Sequence, residues 1–121
     1  MELIVEVASS VHKKYAEEIC KMIAESAKAR GTGIAERKPE YIKAKIDKGH
    51  AVIALLGDQL AGFCYIETWS HARYVANSGL IVNPDLRKLG LAKKIKEKAF
   101  NLARDLYPSA RVLGLPQAWP S

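Results

Sequence analysis

One change of period constrains this chain more than anything else in it. From Ser78 the sequence runs "SGLIVNPDLRKLGLAKKIKEKAF" to Phe100. The strand-like segment Ala72–Val82 ends at "NPD", a turn with Pro84 at its second position. From Lys88 onward the apolar positions Leu89, Ala92, Ile95, Ala99, Leu102, Ala103 and Leu106 step by three and four, the mark of an amphipathic helix. Pro108 ends it, and "ARVLGL", Ala110–Leu115, reads as another strand. A helix set between two such runs predicts a crossover between two adjacent strands of one sheet.

The upstream segments supply the rest of that sheet. "ELIVEVA" is a short strand rich in β-branched residues. Ser9 and Ser10 are N-cap residues for a helix over Val11–Arg30, whose buried stripe is Tyr15, Ala16, Ile19, Cys20, Ile23 and Ala27. "GTG", Gly31–Gly33, ends it. Pro39 opens a second helix with Tyr41, Ile42 and Ile46 on its apolar face, and Gly49 stops it. "HAVIALL" and "LAGFCYIETW" are joined by the tight turn Gly57–Gln59, which predicts an antiparallel hairpin. Ala72–Val82 extends it to a three-strand meander. The order is β-α-α-β-β-β-α-β, a mixed, layered α/β (α+β) fold.

The 121 residues make one domain. No apolar run approaches the roughly 20 residues of a membrane span. The start "MELIVEVASS" lacks a basic region and does not read as a secretory signal. Cys20 and Cys64 are too few for a disulfide framework and lack metal-ligand spacing, so no metal is expected. They read as small buried hydrophobes, and a cytoplasmic location is expected. The net charge of +6 points to an anionic partner. Arg87, Lys88, Lys93, Lys94, Lys96 and Lys98 concentrate it, with only Glu97 against them.

That concentration begins where the helix begins. A first helical turn offers backbone N–H groups without intrahelical partners, and the helix dipole adds positive potential there. Gly90 leaves the backbone open to a phosphate, Ala92 keeps the next approach small, and Arg87 and Lys88 add full charge. A diphosphate suits such a loop. Neither the Walker pattern nor the dinucleotide fingerprint is present. From charge pattern alone, an ordinary solvated lysine face explains the segment as well.

With the loop set in the order of elements, the chain resembles the GNAT superfamily of acyl-CoA-dependent N-acetyltransferases. The resemblance rests on Val82, Pro84, Arg87, Gly90 and Ala92, matching a strand-Pro-Arg/Gln-x-x-Gly-x-Gly/Ala unit, and it covers Met1 to about Leu115. It implies that the backbone of Leu80, Ile81 and Val82 pairs with the pantetheine arm of acetyl-CoA. It also implies that Arg87, Lys88, Leu89, Gly90, Leu91 and Ala92 hold the pyrophosphate. Ala92 stands where many members have Gly. Members continue after the last strand with a helix and two more strands. This chain instead ends in "PQAWPS", so residues 116–121 read as a tail foreign to the family, native or out of frame, on an incomplete domain spanning 1–115. An enzyme impaired by that loss is expected, as is a homodimer formed through the exposed edge Ala110–Leu115.

Acyl transfer to an amine needs a base for the acceptor ammonium and donors for the thioester carbonyl. Glu67, near the end of the second meander strand, is the candidate base, with His71 second; a solvent-facing Glu67 is the plain alternative. His12 and His50 sit at element starts and suggest nothing catalytic. In the family the segment joining the first two helices shapes the acceptor site. Here Arg30, Glu36 and Arg37 are the substrate candidates, facing a small-molecule or peptide amine. Two other classes stand beside the enzyme: a non-catalytic CoA-binding or interaction domain, and a small basic nucleic-acid module. Against the last, no helix-turn-helix signature occurs and few aromatics are interleaved with the cations.

Overall fold

The computed structural model describes residues 2–29, 38–69, 74–109 and 111–113. Its single sheet has five strands in sequential order: β1 (Leu3–Val7), β2 (Ala51–Leu56), β3 (Gln59–Trp69), β4 (Tyr74–Val82) and β5 (Arg111–Leu113). β1 to β4 are antiparallel neighbours; β5 pairs parallel to β4. α1 (Ala16–Ala29) and α2 (Pro39–Asp47) cover one face, and α3 (Leu91–Leu106) the other. The expected fold class and order are therefore observed, with α3 as the crossover between β4 and β5.

β2, β3 and β4 each serve two cores because successive side chains point to opposite faces. Ile53, Phe63, Tyr65 and Ile81 pack with Ile19, Ile23, Ile42 and Ile46 under α1 and α2. Val52, Ala54, Cys64, Ile66 and Val75 pack with Leu91, Ile95, Ala99 and Leu102 of α3. Ala61 to Ile66 are all buried, so β3 reads as a continuous apolar run rather than an alternation.

Two bulges re-aim this alternation. Ala54 pairs with Gly62, but Leu55 pairs with Leu60, which leaves Ala61 as an extra residue. Leu60 thereby joins Phe63 beneath α1 and α2, while Ala61 turns to α3. Farther on, Phe63 pairs with Ile81 and Tyr65 with Ser78, so β4 carries one residue more than β3 at Gly79–Leu80. That bulge turns Ile81 toward α1, and bulges commonly stand beside functional sites.

The helix starts differ from the sequence expectation. Ser10–Tyr15 is a 3-10 turn before α1, with Ser9 at its N-cap. Pro84–Leu89 is a second 3-10 turn, so α3 begins at Leu91 and not at Lys88. The cause is Gly90, whose φ of 68° is left-handed and breaks the helical path. Ile95, Ala99, Leu102 and Ala103 are buried as expected, but at the start of the helix Leu91 takes the buried place expected of Ala92, which is exposed, and at its end Leu106 is exposed as well. Tyr41 also leaves the expected apolar face of α2 and reaches the surface, whereas Ile42 and Ile46 are buried. Cys64 is buried as expected. Cys20 is only half-buried; burial, then Glu40 and Glu17, push its thiol up and keep it protonated.

Candidate active site

The open end of β4 forms the first half of the site. β5 pairs with β4 only at Tyr74, Val75 and Ala76. Beyond Ala76, no other described strand lies on that edge of β4. A cleft of about 390 Å³ opens there between α1 and β4, lined by Met22, Glu25, Ser26, Leu80, Ile81, Val82 and Pro84. The three strand residues expected to meet a pantetheine arm thus line one groove. Met22, Glu25 and Ser26 had no sequence signal beyond their place on α1. The bulge had one, a glycine inside a strand.

The turn after β4 is tightly tied. Asn83 Oδ1 accepts from the Asp85 N–H at 3.0 Å, and Asn83 Nδ2 donates to the Leu60 carbonyl at 3.2 Å. The Asn83 N–H donates to the Ala61 carbonyl at 2.8 Å. These bonds aim the 3-10 turn, and with it the start of α3. Gly90 is the N-cap of α3, no side chain caps it, and no acidic residue sits in the first turn. The first helical bond is Lys94 N–H to Gly90 carbonyl at 3.3 Å. The N–H groups of Leu91, Ala92 and Lys93 therefore have no intrahelical acceptor. A Cβ built on Gly90 meets nothing within 4 Å, so the approach to these donors is open. The backbone of Arg87, Lys88 and Leu89 runs through the preceding turn; their side chains are not described. This cradle fits a diphosphate on the two grounds the sequence suggested, open backbone and donors without an intrahelical acceptor.

Glu67 forms the other half. It lies two residues beyond Tyr65, on the α1/α2 face that also carries Ile81 and the cleft. It is half-buried, opposite Ala76, and accepts a hydrogen bond on Oε1 from the Tyr41 hydroxyl. It stands four residue steps along β3 from Phe63, the partner of Ile81, or about 13 Å at the usual rise. Around it the side chains are mutually held. Tyr41 meets Tyr65 edge-on at 5.6 Å, and Lys45 Nζ lies 5.7 and 5.4 Å from the two ring centres. Lys45 also donates to the Ile66 carbonyl at 2.8 Å. Tyr41 and Lys45 were missed as site residues; their only signal was an i, i+4 pair on one helix face. Arg30, Glu36, Arg37 and His71 lie outside the described residues, as does the tail 116–121.

His12 and His50 take structural roles. His12 is buried, with Nδ1 accepting from the Ser9 N–H at 2.9 Å and Nε2 3.7 Å from Glu6. His50 follows Gly49, whose φ of 72° closes α2 with paired bonds: Gly49 N–H to Ile46 carbonyl, and His50 N–H to Lys45 carbonyl. His50 Nε2 stands 3.1 Å from the Tyr107 hydroxyl. Burial, then Lys45 and Lys48, pull its pKa below the ordinary value. Among the described residues no cluster of three or more His, Cys, Asp or Glu could hold a metal, and no helix is long and apolar enough to cross a membrane.

Comparison with known proteins names the class. Residues 20–115 match the model of the Acetyltransferase (GNAT) family, and the chain belongs to that family. A search of curated proteins returned no match. Among solved structures, N-acetylglutamate synthase from Neisseria gonorrhoeae, complexed with coenzyme A and N-acetyl-glutamate, is similar with a TM-score of 0.69 and 19% identity. That match covers 88% of this chain and 23% of the other. Diaminobutyrate acetyltransferase from Paenibacillus lautus, in complex with L-2,4-diaminobutyric acid and coenzyme A, gives a TM-score of 0.65 and 14% identity, covering 83% and 57%. A GNAT-family acetyltransferase from Staphylococcus aureus gives 0.69 and 16%, covering 87% and 68%. At such identities the likeness is one of fold. The chain spans well under two-thirds of the length of the first two.

Proposed function

We propose that this chain transfers an acetyl group from acetyl-CoA to a primary amine. The observation that carries the reading is the open, bulged β4 edge lining a groove at Leu80, Ile81 and Val82, followed within one 3-10 turn of the chain by the uncapped start of α3. The N–H groups of Leu91, Ala92 and Lys93 would hold the pyrophosphate, with Arg87 and Lys88 adjoining in sequence. The backbone of Leu80, Ile81 and Val82 would hold the pantetheine arm. When bound, acetyl-CoA supplies a thioester carbon open to attack by an amine. The bulge frees backbone groups of β4 at the point where a carbonyl oxygen gains charge, and donors fixed in advance stabilise that charge.

Glu67 takes the proton from the acceptor ammonium, which must be neutral to attack. Tyr41 holds the carboxylate in place by its hydrogen bond. Lys45, bound to the neighbouring carbonyl of Ile66, fixes the strand rather than the proton path. The acceptor is a small amine-bearing molecule. Amino acids and diamines head the trial panel because two similar structures hold ligands of that kind.

Release of free CoA thiol in the presence of such a panel tests the reading. Turnover should appear with at least one amine and fall about 100- to 10,000-fold in Glu67→Gln, with CoA affinity kept. Binding of CoA without turnover of any amine would reduce the protein to a CoA-binding domain. Equal turnover in Glu67→Gln would remove Glu67 from the mechanism.

A further inference from the structure

We propose that the outer edge of β1 is a docking strand for an extended acidic segment of a partner protein. The inference is independent of the acetyl-transfer site: β1 and β4 are separated by two strands, and none of the residues lining the β1 groove belongs to that site.

β1 is the first strand of the sheet, and among the described residues no strand pairs with its other side. The bonds that flank it fix which backbone groups face out. Gly57 N–H donates to the Glu2 carbonyl, and Ala8 N–H to the Ala51 carbonyl. In an antiparallel ladder the bonded pairs alternate, so Glu2, Ile4, Glu6 and Ala8 turn their backbone groups to β2. The N–H and C=O groups of Leu3, Val5 and Val7 therefore point away from the sheet. They have no backbone partner among the described residues. Such a row is a template for strand addition.

The side chains beside that row select what adds. Between β1 and α3 lies a groove of about 370 Å³, lined by Leu3, Val5, Lys94, Glu97, Lys98 and Asn101. Its floor is apolar and its wall carries two lysines against one glutamate. Neither Lys94 nor Lys98 has an ion-pair partner among the described residues. Lys93 and Lys96 extend the positive potential along the same helix. On the opposite face of β1, Ile4 is 39% exposed. An added strand would present alternate side chains to these two faces. Acidic residues on one side would meet Lys94 and Lys98; apolar residues on the other would cover Ile4. The recognised segment is thus an alternation of acidic and apolar residues.

Charge argues against the other occupants. A second copy pairing β1 to β1 about a two-fold axis would set the two α3 helices side by side on one face. The lysines would then oppose each other between chains that each carry +6. A single-stranded nucleic acid would leave the N–H and C=O row unpaired and would find no stacking aromatic among the groove residues.

The test uses a short fluorescent peptide alternating glutamate with valine, added to the full chain while anisotropy is read. Binding is expected, weakening as salt is raised. Lys94→Glu with Lys98→Glu should weaken it by about tenfold or more, with helical circular dichroism unchanged. N-methylation of every second peptide amide should abolish it with the protein untouched. Hydrogen exchange at the Leu3, Val5 and Val7 amides should slow on addition of the peptide. No binding by the glutamate peptide would overturn the proposal. So would equal binding by its N-methylated form, or protection of those amides by an oligonucleotide or by self-association alone.

Discussion

The two ends of the candidate site are built from different material. At the α3 end the groups proposed to bind are backbone: a bulge, an open strand edge and uncapped N–H donors beyond Gly90. At the β3 end they are side chains, with Glu67 held by Tyr41 and a strand fixed by Lys45. The first kind is punctuated in sequence, because a backbone that bends or must be approached closely needs Gly and Pro at set positions. The second kind has no punctuation. Its residues are ordinary until the fold brings α2 over β3.

This difference explains what could be read in advance. The strands and the three α-helices were legible from hydrophobic period and turn residues, and so was the glycine that marks the start of α3; the two 3-10 turns were not. The start of α3 was misjudged because Arg87–Leu89 keep helical spacing while adopting a 3-10 turn. Gly90 itself carried the correction, since a left-handed residue cannot lie within a helix. Glu67 was reachable as a carboxylate near a strand end, but Tyr41 counted as core. Its ring packs on Tyr65 as a core residue does, and only its hydroxyl reaches the site. Gly79 marked a place where β4 could bulge, but the residue at which either strand slips could not be read, because pairing register depends on two strands at once.

The contrast can be broken at either end. The largest structural effect is expected at Gly62, which pairs with Val82 beside the cleft. A Cβ there would lie 2.5 Å from Ile95 Cδ1 and 2.9 Å from the Ile81 carbonyl oxygen. Gly62→Ala should cost about 2 kcal/mol in chemical denaturation. An unchanged midpoint would mean that α3 and β4 yield more easily than their packing implies.

Tyr41→Phe sharpens the other end. It removes one hydrogen bond to Glu67 and leaves the ring contacts. Loss of about 1 kcal/mol in transition-state stabilisation is expected, with CoA affinity unchanged. A change in CoA affinity instead would merge the two ends into one unit.

The smallest effect concerns His50, away from both ends. Its folded pKa lies below the unfolded value, so the neutral ring is the form the fold favours. Above the unfolded pKa near 6.5 both states are neutral and nothing is lost. As pH falls through that value the unfolded chain takes up the proton first, and stability declines toward the folded pKa. His50→Gln should flatten this decline between neutral and mildly acidic pH. An equal slope in both proteins would assign the pH dependence to other groups.

The central claim is that backbone near Gly90 receives the pyrophosphate of CoA, and calorimetric titration of CoA into wild type and Gly90→Trp tests it most directly. The left-handed φ costs the variant about 1–2 kcal/mol of stability and its Cβ meets nothing within 4 Å, so the fold should survive. The account predicts heat of binding in the wild type and none in the folded variant. Equal affinity in the two proteins would contradict it.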